Sequence, residues 1–114
     1  MDSQFLGSAV EMLILEIAAQ GPTYGYEVAQ TVAERSGGYF ELKEGSLYPA
    51  LHRLERQKLL RSFWREADGR RRKYYELTEA GKRELAARKR TWLDFTAGIN
   101  GVLGAGGAGL EGLG

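Results

Sequence analysis

Cysteine is absent from this chain of 114 residues, and histidine occurs once. A chain without thiols forms neither a disulfide framework nor a thiolate metal site, and it suits a reducing compartment such as the cytoplasm. A single histidine supports no catalytic triad and no metal cluster. Neither a glycine-rich phosphate loop nor a nucleophile elbow is present. We therefore expect no metal, no cofactor and no enzymatic activity.

Long uncharged apolar runs are also missing. The apolar stretch over residues 9–19 is interrupted by Glu11 and Glu16, and no basic segment precedes it. We therefore expect neither a secretory signal nor a membrane span. The remaining composition, 43% hydrophobic and 27% charged, is typical of one globular domain.

The net charge of +1 conceals an uneven distribution. Residues 43–73 contain ten basic and four acidic side chains, so this segment carries +6 and the rest of the chain −5. A polarised surface of this kind favours a polyanionic partner, although a merely solvated basic face is the alternative.

Apolar spacing predicts three helices in the first half of the chain. The first covers residues 4–19 and ends at Gly21 and Pro22. Thr23 is expected to cap the second helix, which two glycines close at residues 37–38. A third helix follows Gly45, with Ser46 as its cap and a proline at position 49 in its first turn.

Two segments of alternating character flank Asp68 and Gly69, which predicts a β-hairpin. A two-residue turn there pairs Leu60 with Leu77, Ser62 with Tyr75, Trp64 with Lys73 and Arg61 with Glu76. The tip is strongly basic. A basic two-stranded ribbon after three helices predicts a wing.

Thr78 is expected to cap a last helix over residues 79–103. A heptad-like apolar stripe on this helix has no obvious partner in so short a chain, so we assign it to a second subunit. The stripe consists of Leu85, Trp92, Phe95, Ile99 and Val102. We expect the glycine-rich tail, residues 104–114, to be disordered.

The order of elements predicts a mainly α fold with a two-stranded β wing: a winged helix-turn-helix over residues 4–78 followed by a dimerisation helix. In that geometry the third helix enters the major groove and the wing lies along the backbone or minor groove. Arginine and lysine at the wing position the protein, and the outer face of the third helix reads base edges.

Three motifs resemble the PadR family of transcriptional regulators. They are TYGYE at residues 23–27, EGSLYPALHRLE at 44–55 and GRRRKYYELTEAG at 69–81. The chain is similar to the family's short branch, which has one C-terminal helix. The resemblance implies a homodimeric regulator, in most cases a repressor, that binds double-stranded DNA. We expect a palindromic operator with half-sites roughly 34 Å apart.

The resemblance also implies two sets of site residues. Tyr24 and Tyr26 would touch the DNA backbone. The groove-facing and wing residues would be Ser46, Tyr48, Pro49, His52, Arg53, Arg71, Arg72 and Lys73. The dimer interface, with a possible site for a flat aromatic effector, would include Phe5, Leu13, Leu85, Trp92, Phe95 and Ile99.

Several alternatives stay open at this point. Tyr26 would also suit packing against the third helix, and for Trp92 the simpler interpretation is that it fills an interface without leaving a cavity. The winged helix would also suit a protein-interaction module that meets an acidic partner. A small-molecule carrier that does not bind DNA is the other alternative.

Overall fold

A computed structural model describes residues 3–104, with side chains from residue 7 onward. Its elements are α1 (Ser3–Ala18), α2 (Gly25–Arg35), α3 (Glu44–Arg56), β1 (Leu60–Ala67), β2 (Arg70–Leu77) and α4 (Glu79–Leu103). The predicted fold, three helices, a two-stranded antiparallel sheet and a fourth helix, is confirmed. Most of the predicted disordered tail, residues 105–114, lies outside the described residues. None of the described helices has the length and apolar character needed to cross a membrane.

The core forms around α1, which contacts α2, α3, α4 and β2. Apolar residues at three- and four-residue spacing place a wide buried surface on this helix. The most deeply buried large side chains come from three helices and the start of the hairpin: Ile14, Leu15, Val28, Leu51, Leu54 and Leu60. α1 therefore holds α3 and the hairpin in fixed positions relative to each other.

The predicted cap of α2 is wrong. The residue that precedes the helix is Tyr24, and it makes no side-chain cap. The Thr23 hydroxyl instead donates to Oε1 of Glu27 at 2.6 Å. Thr23 is buried, and its backbone exchanges two hydrogen bonds with Tyr75 of β2, at 3.0 and 2.7 Å. The start of α2 is thus tied to the hairpin by main-chain pairing.

The start of α3 also differs from the prediction. Lys43 occupies the cap position without a side-chain bond, and Ser46 is the third residue of the helix. Pro49 consequently lies in the second turn, where its missing N–H leaves the Gly45 carbonyl without its i+4 donor. The inner face is as predicted, with Leu47 and Leu51 among its buried residues.

The hairpin has the predicted register, with Leu60 opposite Leu77 and Trp64 opposite Lys73. Asp68 and Gly69 both have positive φ, 53° and 75°, as a primed two-residue turn requires. Leu60 is buried at the base of the hairpin, whereas Trp64 lies farther along and is 58% exposed. The base therefore belongs to the core and the tip extends into solvent.

The Thr78 cap of α4 is confirmed, because its hydroxyl oxygen accepts from the Gly81 N–H at 2.9 Å. The assignment of Leu85 to a subunit interface is wrong: this side chain is 7% exposed and belongs to the core of its own chain. Early α4 packs against α1, so the first position of the apolar stripe is already covered. The helix ends at Leu103, and the residue that follows, Gly104, has a left-handed φ of 73°.

Candidate nucleic-acid interface

An open cleft of about 690 Å³ lies between the start of α2, the outer face of α3 and the hairpin. Aromatic and basic side chains line most of it. The lining residues are Tyr24, Gly25, Tyr26, Tyr48, His52, Trp64, Arg70, Arg71, Arg72, Lys73 and Tyr75. Rings and cations therefore alternate on one surface, which suits the stacked bases and phosphates of a nucleic acid better than an apolar ligand.

Gly25 allows α2 and α3 to approach closely on this surface. A β-carbon at residue 25 would lie 2.7 to 2.9 Å from the ring and hydroxyl of Tyr48, which is closer than carbon atoms pack. The Tyr48 ring therefore rests on the first turn of α2. Its side chain remains 38% exposed, and Tyr26 beside it is 68% exposed. Most of the Tyr26 side chain therefore faces solvent and does not pack against α3.

The wing cations are held against aromatic rings. The Arg72 guanidinium lies 4.2 Å from the ring centre of Tyr24, and that of Arg71 lies 5.0 Å from the ring centre of Trp64. Such contacts orient a cation without neutralising its charge. Arg71 is exposed and Arg72 half-buried. Both arginines line the cleft and bring a formal positive charge to it.

A carboxylate on α3 fixes the base of the wing. Glu55 accepts from the Ser62 hydroxyl and lies 3.4 Å from Nζ of Lys73. The hydrogen bond from Ser62, more than the charge of Lys73, lowers the pKa of Glu55. Burial raises the pKa of Tyr75, over whose ring Lys73 lies at 5.4 Å, so that phenol stays neutral. The hairpin is thereby attached to α3 by charged contacts as well as by the core.

A second aromatic cluster supports the other face of the hairpin. Phe63 and Tyr74 stack at 5.8 Å, and the Arg65 guanidinium lies 4.7 Å from the Tyr74 ring centre. Tyr24 meets Tyr74 edge-on at 5.3 Å. Tyr24 is therefore held by the wing on one side and by the start of α2 on the other.

The cleft includes most of the predicted DNA-binding residues but not all of them. It brings together Tyr24, Tyr26, Tyr48, His52, Arg71, Arg72 and Lys73. Ser46 lines a separate groove beside Tyr39 and Phe40. Pro49 is exposed on α3 outside the cleft lining. Arg53 pairs with Glu11 of α1 at 2.8 Å.

Sequence reasoning missed Trp64, Arg70, Gly25 and Tyr75 as lining residues. The predicted register puts Trp64 on the same face of the hairpin as Leu60, but its distance from the buried base was the signal that it lies beyond the core. Gly25, which lies within the TYGYE motif, marks a close approach of two helices. Within the described part of the chain, no group of acidic or histidine side chains is arranged to hold a metal ion.

The predicted interface residues lie along α1 and α4. A groove of about 330 Å³ between these helices is lined by Ser8, Ala9, Met12, Glu84, Ala87, Arg88, Thr91, Trp92 and Phe95. The ring centres of Trp92 and Phe95 are 5.8 Å apart. Ile99, farther along α4, is 43% exposed. Leu13 packs partly buried against the core, and the side chain of Phe5 lies outside the described part.

Comparisons with known proteins agree on one family. Residues 14–87 match the Transcriptional regulator PadR-like family. The transcriptional regulator Rv3488 of Mycobacterium tuberculosis is 37% identical over 87 residues, which cover 76% of this chain and 78% of that protein.

Solved structures show the same relationship. A PadR family transcription regulator from Clostridium difficile is 40% identical with a TM-score of 0.74, and the match covers 82% of this chain and 97% of that one. The protein smu.1704 from Streptococcus mutans is 34% identical with a TM-score of 0.79, with 88% and 91% covered. The family is one of transcriptional regulators and not of enzymes. This chain belongs to the PadR family of transcriptional regulators.

Proposed function

We propose that this regulator is a sequence-specific, double-stranded-DNA-binding repressor that acts as a homodimer in the cytoplasm. The observation that carries the proposal is the shared surface of α3 and the wing: Tyr48 and His52 of α3 line the same cleft as the arginines of the hairpin tip. A helix with exposed polar side chains enters a major groove, and a cationic ribbon beside it follows the adjacent backbone.

The two parts of the surface do different work in this proposal. Arg70, Arg71 and Arg72 contact phosphates, because each cation laid on the duplex releases condensed counterions whatever the sequence. Tyr48 and His52 read base edges from the exposed face of α3. Tyr24 and Tyr26, which lie at the start of α2, contact the DNA backbone.

The distal half of α4 supports the proposal of a dimer. Its last three turns carry large apolar side chains that are mostly exposed in the single chain: Leu93, Phe95, Ile99, Val102 and Leu103. Three of them, Phe95, Ile99 and Val102, are three or four residues apart and therefore share one exposed face of the helix, which is typical of a subunit interface. We assign residues 4–78 to DNA binding and residues 79–103 to the dimerisation helix, with Leu85 as a core residue of the former unit.

An effector-responsive repressor is the finer form of the proposal. The groove beside Trp92 and Phe95 is predominantly apolar and would suit a flat aromatic compound, with Arg88 at its wall. A compound bound between subunits would alter their relative rotation and hence the spacing of the two copies of α3.

Selection of bound duplexes from a random pool tests the proposed function directly. We expect a palindromic consensus whose half-sites lie about one helical turn apart. A consensus without two-fold symmetry would contradict the dimer. Failure to retain any duplex at low salt, together with binding to an acidic protein, would favour the protein-interaction module instead.

A further inference from the structure

Arg53 differs from its neighbours on one stripe of α3. Ser46, Pro49, Arg53 and Arg56 are three or four residues apart, so they lie on the same side of the helix. Ser46, Pro49 and Arg56 are exposed. Arg53 instead turns back onto α1, where its Nε donates to Oε2 of Glu11 at 2.8 Å, and its side chain is only 40% exposed.

Glu11 is well placed to hold this arginine. Its side chain is 14% exposed, and its second oxygen, Oε1, accepts from Nη1 of Arg88 on α4 at 2.9 Å. Arg88 is itself fixed by Glu84 at 2.7 Å. Burial raises the pKa of Glu11, but the bonds and charges of Arg53 and Arg88 outweigh it and the pKa is lowered. Glu11 is therefore charged at neutral pH with both oxygens engaged.

This arrangement limits what Arg53 is free to do. A charge-assisted bond to a largely buried carboxylate is stronger than an ordinary surface ion pair. Glu11 takes the Nε of Arg53 and offsets its charge, so we expect a contact between this arginine and a phosphate to release less counterion than one made by an unpaired arginine. The chain therefore carries a cation on its proposed recognition helix whose charge is offset by a carboxylate of α1, although its side chain remains 40% exposed.

We infer that Glu11 is a positioning residue that keeps Arg53 away from DNA and so sets the number of phosphate contacts made by α3. The inference rests on the proposed function, because it requires α3 to face a duplex. It assigns a role in DNA affinity to a residue on α1, which lies outside the cleft formed by α2, α3 and the hairpin.

The primary test is Glu11→Gln, which keeps the shape of the side chain and removes its charge. Arg53 is then free to reach a phosphate, so the slope of log affinity against log salt should steepen by about 0.9. On a duplex of arbitrary sequence at about 0.1 M salt, one further contact of this kind raises affinity about fivefold to tenfold.

Glu16→Gln is the matched control. Glu16 also lies on α1 and pairs with α4 through Lys89 at 3.1 Å, and no described ion pair joins it to α3. This substitution removes the same charge from the same helix, so it reproduces the general electrostatic effect without releasing Arg53. The gain of Glu11→Gln over Glu16→Gln measures the release itself.

A second pair of variants checks that the gain comes from Arg53, and the single variant of this pair also covers the case in which Glu11→Gln does not fold, which circular dichroism would reveal. Arg53→Ala in the natural sequence should flatten the salt slope by much less than about 0.9, because Glu11 already offsets the charge of this arginine. Arg53→Ala added to Glu11→Gln should abolish the gain. An approximately eightfold loss of affinity and a flatter slope in the single Arg53→Ala variant would overturn the inference.

The results separate the two proposals. A natural protein with no affinity for duplex DNA at low salt overturns the proposed function, and this inference with it. A natural protein that binds with a clear salt slope, while Glu11→Gln and Glu16→Gln behave alike, overturns only the role of Glu11. A steeper slope confined to Glu11→Gln and reversed by Arg53→Ala supports it.

Discussion

Replacing Arg71 with alanine gives the sharpest test of the wing as a phosphate-binding element. Arg71 is exposed near the tip of the hairpin, and its guanidinium lies over the Trp64 ring and not on a carboxylate. Its charge is therefore available to a phosphate without breaking an ion pair. Each lost contact flattens the salt slope by about 0.9, which amounts to roughly an eightfold loss of affinity at about 0.1 M salt.

Arg61→Ala is the control for this substitution. Arg61 lies at the base of the same hairpin, where it pairs with Glu76 across the two strands. The variant loses the same charge from a position outside the cleft, so its slope should stay close to that of the natural protein. Fluorescence anisotropy of a labelled duplex, titrated between about 0.05 and about 0.3 M potassium chloride, measures both slopes. Equal slopes for Arg71→Ala and Arg61→Ala would refute the placement of the wing on the DNA backbone.

Three further predictions concern stability and assembly. Gly81→Ala should lower the free energy of unfolding by about 1 to 3 kcal/mol in urea titrations. The reason is that the new β-carbon would lie 2.2 Å from the Leu59 carbonyl oxygen. Unchanged stability would show that α4 shifts freely. The pKa values of Glu11 and Glu55 are lowered from the ordinary 4.5 in the folded protein. The stability that these two carboxylates contribute is therefore complete above pH 4.5 and is lost as the pH falls through their pKa values in the folded protein. Acid titrations should show this loss of stability, and the loss should be smaller in Glu11→Gln. Ile99→Asp places a charge on the exposed apolar face of α4. It should shift the protein from dimer to monomer in sedimentation equilibrium, with little loss of helix. An unchanged mass would exclude that face of α4 as the dimer interface.

The hairpin was predictable from the sequence because its determinants are local. Asp68 and Gly69 fix a two-residue turn, and a turn of known length fixes every pair of opposite residues. The predicted caps of α2 and α3 were less successful, because Thr23 and Ser46 suit a cap by residue type alone. The buried pairing of Thr23 with Tyr75 displaced the start of α2 by one residue, and that pairing is a tertiary contact.

The candidate site was predictable to the extent that it depends on helical spacing and the hairpin register. Tyr48 and His52 were expected on the outer face of α3 and lie there. The environment of Arg53 could not be predicted in this way, because it depends on Glu11. Glu11 is distant in sequence and reaches α3 only through the packing of α1. Leu85 shows the same limit: a regular apolar repeat does not say which of its positions face the chain's own core.

The pairing of Thr23 with Tyr75 has a consequence for how the protein melts. Because the main chain just before α2 hydrogen-bonds to β2, the stretch that contains α2, α3 and β1 is closed by contacts at its two ends. We consequently do not expect the base of the hairpin to unfold before α2 and α3. We therefore expect α3 and the base of the hairpin to unfold together, because opening this pairing also frees the start of α2.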